Sequence, residues 1–255
     1  MDETQHIHVS STMRSRATEV HRSPVGLWKP RLHFLDVGET GGDALRAALE
    51  VGDAEDHVVV LHGHSATVRD LPDREQVLVF LRDPLSRFVA AFDRRKAEHR
   101  SPSELVRATE EALAFERFPT PTALGEALAD DPRAVEAMQE IRLVRDHYLH
   151  WFGGWDGLEA AASEGRIYGV LRTEDLSWSL ASLLGTLGVP DAGAAAARAA
   201  TLVPRAGLRE SLSPAATTNL RRWFAPDDAL LVRCAQLGLV WPVDDLRPDL
   251  DLRSP

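Results

Sequence analysis

A chain of 255 residues is long enough for one sizeable domain with its own core, and its 44% hydrophobic and 27% charged residues are ordinary for a globular protein. A formal net charge of −10 speaks against a general nucleic-acid binder or a binder of anionic membranes. The single cysteine, Cys234, excludes an internal disulfide, no apolar run approaches the ~20 residues that span a bilayer, and the N-terminal segment lacks the apolar core of a secretory signal, so the expectation is a cytoplasmic protein.

Residues 1–30 are polar and aperiodic and read as a disordered or loosely packed arm. An α/β alternation follows: a strand over 33–37, a helix over 43–51, a strand over 57–61 and a strand over 77–81. A helix then runs from Pro84 to about residue 98, with proline in the first turn where its missing N–H costs nothing. The strands VVVL and VLVFL are nearly all apolar, which predicts a parallel sheet covered on both faces.

Residues 101–163 are helical in pattern, with breaks at 118–121 and 131–132, and read as a helical insertion. A fourth strand is expected over 166–171 and a helix over 176–187, ended by Gly188 and Pro190. The alanine-rich stretch 192–200 predicts a helix. Ser213 and Pro214 start another that runs to Phe224, and Pro226-Asp227-Asp228 starts one more that ends near Gly238. Residues 31–240 therefore read as a single α/β domain, and 241–255 as a tail.

Three short stretches carry chemistry. After the first strand comes Gly38-Glu39-Thr40-Gly41-Gly42-Asp43, a glycine turn that opens a helix, where backbone N–H groups and the helix dipole favour an anion. After the third comes Arg82-Asp83-Pro84 with Arg87 one turn on; an arginine at a strand end offers a fork that fits phosphate oxygens. Two anion sites on one sheet edge point to a ligand with two phosphate-like groups. His62-Gly63-His64 follows the second strand and falls on the same edge, and imidazole suits proton transfer near neutrality. With no third ligand in view, the His-x-His pair does not predict a metal. The glycine run lacks the lysine of an ATP-binding loop, because Asp43 and Ala44 follow Gly42.

The glycine turn and the run Arg82-Asp83-Pro84-Leu85-Ser86-Arg87-Phe88 together resemble the sulfotransferases, in the branch that includes carbohydrate sulfotransferases and bacterial relatives, whose motifs read K-T-G-G and R-D-P-x-x-R-F-x-S. Weaker resemblance over 167–176 and 212–230 extends the likeness across most of 31–238. It implies a P-loop-like three-layer fold with a central parallel sheet flanked by helices, plus the helical insertion. It implies transfer of a sulfuryl group from 3′-phosphoadenosine 5′-phosphosulfate, a co-substrate, to a hydroxyl of a small molecule or carbohydrate, without a metal. Gly38 to Asp43 would cradle the 5′-phosphosulfate and Arg82 the 3′-phosphate. Arg205 and Arg209 would lie in a loop closing over the nucleotide. A similar His-Gly-His in the uronosyl 2-O-sulfotransferases makes His64, and after it His62, the candidate base. Three positions depart from the motifs: Glu39 stands for the lysine, Asp43 for a small hydroxyl residue and Ala90 for the serine. The alternative is therefore a non-catalytic sulfotransferase-fold protein, a pseudoenzyme with a degenerate donor site, that serves as a binding subunit for a protein partner.

Overall fold

The computed structural model describes residues 18–19, 29–51, 54–99, 109–203 and 212–241. The strands are β1 (Thr18–Glu19), β2 (Arg31–Leu35), β3 (Val58–Leu61), β4 (Gln76–Leu81), β5 (Ile167–Arg172) and β6 (Val240–Trp241). They form one sheet in the order β1-β3-β2-β4-β5-β6. The five strands from β2 to β6 run parallel, and β1 is antiparallel on the outer side of β3. The helices are α1 (Gly42–Val51), α2 (Pro84–His99), α3 (Thr109–Arg117), α4 (Pro121–Ala127), α5 (Pro132–Glu140), α6 (Leu149–Phe152), α7 (Gly154–Ser163), α8 (Leu176–Thr186), α9 (Ala192–Ala200), α10 (Pro214–Trp223) and α11 (Ala225–Gln236).

Because side chains alternate across a strand, the apolar runs feed two layers at once. Leu32, Phe34, Leu61, Leu78 and Phe80 pack under α1, α8 and α9. Leu35, Val77, Val79 and Leu81 pack on the other side under α6, α7 and α11. In α9 the buried residues are Ala195, Ala196 and Ala199, whose small side chains let the helix sit close to its neighbours. A third cluster takes no strand residue: Phe88 and Phe92 of α2 meet Phe115, Met138, Leu220 and Phe224.

The expected insertion therefore divides. Its first part, α3 to α5, joins α2 and α10 in this helical body, while α6 and α7 return to cover the sheet. The predicted breaks fall where Pro121 and Pro132 open helices, with Thr120 and Asp131 accepting N–H bonds as caps.

Some local expectations shift. The first strand begins two residues early, because Arg31 already pairs with Val58, and it stops before Asp36. The arm contributes β1, and β6 lies where the last helix was expected to run into a tail; each is two residues, too short to show a period. Trp155 and Trp178, although they sit in apolar stretches, are 40% and 50% exposed on the outer sides of α7 and α8.

The connection from β2 through α1 leaves on one face, and β4 feeds α2 and the helical body. The adjacent carboxyl ends of β2 and β4 thus form the point where an open α/β sheet reverses its winding and leaves a crevice. The glycine turn and Arg82 stand there.

Candidate functional site

The turn between β2 and α1 is built on one buried threonine and two left-handed residues. Thr40 is fully buried and its Oγ1 donates to the Val37 carbonyl at 2.7 Å. Glu39 at φ 65° and Gly41 at φ 108° reverse the chain so that α1 starts at Gly42. A Cβ on Gly42 would lie 2.2 Å from Asp36 Oδ1, so only glycine leaves room for that carboxylate. Asp36 is 7% exposed; burial pushes its pKa up, against the lowering pull of His64 and Arg46. Arg46 Nη2 donates to Asp36 Oδ2 at 3.1 Å and to the His62 carbonyl at 3.3 Å.

The two arginines of the second motif have different tasks. Arg82 is buried, its Nη1 lies 3.4 Å from the Glu39 carbonyl, and its own carbonyl accepts from the Tyr148 hydroxyl at 2.8 Å. Arg87 donates to the carbonyls of Gly38 (3.1 Å), Asp146 (2.9 Å) and Leu143 (2.8 Å) and lies over the rings of Tyr148 and Trp151. It ties the glycine turn to the segment before α6, as a packing residue would. Asp83 caps α2 by accepting from the Ser86 N–H at 2.9 Å and pairs with Arg221 of α10. Burial alone would raise the Asp83 pKa, but the Ser86 N–H and Arg221 outweigh it and hold the carboxyl below its ordinary range.

The two candidate histidines separate. His64 Nδ1 lies 2.9 Å from the Asp36 carbonyl oxygen, which can only accept, so Nδ1 carries the hydrogen and Nε2 of the neutral ring keeps its lone pair. The Asp36 carboxylate lies 3.7 Å from the same nitrogen, and Trp151 Nε1 donates to the His64 carbonyl at 2.9 Å. This is the tautomer and support a general base requires. His62 turns inward: its Nε2 meets His33 Nδ1 at 2.7 Å, and the other nitrogen of His33 is bonded to Glu75. Burial, then the neighbouring His33, pushes the His62 pKa down. The Glu75–His33–His62 chain was not among the expected features. Its signal in the sequence is the one polar residue inside RLHFL after Arg31, since a histidine facing the core needs a partner.

Two cavities meet at this edge. The smaller, about 50 Å³, is lined by Glu39, Gly41, Gly42, Asp43 and Arg82, among others. The larger, about 510 Å³, is lined by Arg95, Arg142, Arg145 and His150, with Glu98 and Asp146. His64 and Arg94 line both, and His62 lines neither. Arg94 of α2 reaches Glu39 Oε1 with Nη1 at 2.8 Å, lies 3.8 Å from Asp43 and meets Glu98 through Nε at 3.2 Å. The cradle residues Gly41, Gly42 and Asp43 thus come together with Glu39, Arg82 and His64, and Thr40 and Gly38 hold the turn from behind. Arg205 and Arg209 lie outside the described residues.

Among the described residues, no group of three or more His, Cys, Asp or Glu side chains is placed to hold a metal ion, and no helix is long and apolar enough to cross a membrane. Comparison with family models, curated proteins and solved structures gave no match.

Proposed function

We propose that the protein transfers a sulfuryl group from 3′-phosphoadenosine 5′-phosphosulfate to a hydroxyl of a small molecule or carbohydrate. The observation that carries this is His64, its Nε2 lone pair kept available, lining the meeting point of a small cavity beside the glycine turn and a larger one beside it. In the reaction the acceptor oxygen attacks sulfur and gives its proton to His64 Nε2. The bond from sulfur to the 5′-phosphate oxygen breaks, and 3′-phosphoadenosine 5′-phosphate leaves with that electron pair. Such a transfer depends on positioning and on stabilising charge at the leaving oxygen. Arg82 anchors the nucleotide's 3′-phosphate, the glycine turn faces the phosphosulfate, and the larger cavity takes the acceptor. The strand order and the turn into α1 support a P-loop-like arrangement. A cytoplasmic setting fits the single Cys234, a buried thiol whose pKa burial pushes up to about 12.

A second reading is favoured by the acids in the cradle. Asp36, Glu39 and Asp43 all line the smaller cavity, and Asp83 and Arg87 have structural partners without any ligand. On that reading the chain is a non-catalytic subunit that binds a protein partner. Calorimetric titration with 3′-phosphoadenosine 5′-phosphate separates the two. Micromolar binding is the result expected of the transferase, and no detectable heat at millimolar ligand would move the assignment to the second reading.

A further inference from the structure

We infer that Arg94 supplies the catalytic cation of this site, meeting the phosphate oxygen that leaves sulfur, and that Glu39 is its positioning residue. This rests on the sulfuryl-transfer reading of the same site and names the group that reading still lacks.

Place comes first. A group passing from the smaller cavity to the larger crosses the boundary between them, and the two side chains common to both linings are His64 and Arg94. The base and a guanidinium therefore flank the same passage. Arg94 is carried by α2, whose buried aromatic face fixes the helix against the helical body, so the cation stands on a rigid element.

Glu39 is a nearly buried acid. Its side chain is 8% exposed, and a buried carboxylate without a partner is strongly disfavoured. Its partner is Arg94, at 2.8 Å, reached from a left-handed position within the glycine turn. A guanidinium has five N–H donors in a planar fork and can hold two carboxylates while presenting a further edge. Here Nη1 serves Glu39, Nε serves Glu98, and Nη2 donates to no protein group among the described residues. The side chain is 46% exposed and lines both cavities, which leaves Nη2 as the donor for a ligand.

Charge must also balance in the cradle. Asp36, Glu39 and Asp43 would together repel a phosphosulfate. Asp36 is paired with Arg46 and Glu39 with Arg94, while Asp43 is 70% exposed and screened by water. What Arg94 then offers the passage is the donor edge of Nη2, on a guanidinium whose charge Glu39 and Glu98 already share. When the bond from sulfur to the bridging oxygen breaks, that oxygen takes the electron pair, and Arg94 donates to it as its charge grows. A glutamate in the turn is then not a lost cation. It recruits one from a different helix.

The test is titration of the full chain with two probes, inorganic pyrophosphate and 3′-phosphoadenosine 5′-phosphate. The wild type is expected to bind both. Arg94→Ala should weaken both about ten- to hundredfold, as expected for loss of a charge-assisted hydrogen bond. Arg94→Lys should recover part of the loss, because it keeps the charge without the fork. Glu39→Gln keeps the shape of the turn and should weaken pyrophosphate. Arg94→Ala binding both probes like wild type would overturn the inference while leaving the transferase reading intact. Pyrophosphate binding that depends on Arg94, with no binding of the nucleotide, would keep the inference and remove that reading. Binding of neither probe removes both. Glu39→Gln tightening pyrophosphate, or Arg94→Lys no better than Arg94→Ala, would mark Glu39 as mere repulsion or Arg94 as merely structural, and either overturns the proposal.

Discussion

Gly42 and Asp36 occupy the same space from two sides, and that makes the pair a sensitive probe of the turn. Gly42→Ala places a methyl 2.2 Å from Asp36 Oδ1, and forcing the carboxylate aside should destabilise the protein by about 1–3 kcal/mol in urea unfolding. In an Asp36→Ala background most of that cost should vanish; a penalty that persists there would mean the clash lies elsewhere. His62 offers a second residue-scale prediction. Its folded pKa lies below the ordinary histidine value, so in the window between the two the unfolded chain binds more protons than the native one. Stability from this group is complete above the unfolded pKa of ~6.5 and declines as pH falls through it. The melting temperature should therefore drop between pH 7.5 and 5.5, and His62→Gln should flatten that drop.

Arg87 works between elements. One guanidinium joins the Gly38 carbonyl of the β2–α1 turn to the carbonyls of Leu143 and Asp146, and α2 carries it. Replacing it by methionine fills part of the volume but leaves buried acceptors without donors, a loss of roughly 3 kcal/mol in denaturant unfolding. Arg221→Ala, which breaks a half-exposed pair with Asp83, should cost less than about 1 kcal/mol. If the two variants are equally stable, Arg87 is not the tie described. The start of α10 was legible because Ser213-Pro214 writes a cap and a proline, and Ser213 accepts the N–H bond of a cap; Thr120-Pro121 and Asp131-Pro132 were legible only as breaks, though they cap helices in the same way. Which face each helix buries was less legible. Trp155 and Trp178 lie outside, since a tryptophan in an apolar helix says nothing about which neighbour covers it.

At the scale of the whole molecule, the parallel sheet could be read from VVVL and VLVFL, as strands buried on both faces do not alternate. The order of the strands could not, because β4 and β5 become neighbours only through packing remote in sequence. The same limit governs the site. Gly41, Gly42, Arg82 and His64 were visible as local motifs, whereas Arg94 sits in an unremarkable charged stretch of α2. Glu75 and His33 meet only because β2 lies beside β4.

That sheet order also constrains how the chain reaches this state. Everything from α2 to α7 lies between β4 and β5, two strands paired side by side. Closing so long a loop early would cost entropy with little contact energy in return. The helical body around Phe88 and Phe92 depends on closer neighbours in the chain, α2 to α5, with α10 arriving from further away. Folding should run from helices to sheet, with the β4–β5 seam as the late, slow step. The crevice at the carboxyl ends of β2 and β4 would then acquire its second wall only after the helical body has formed.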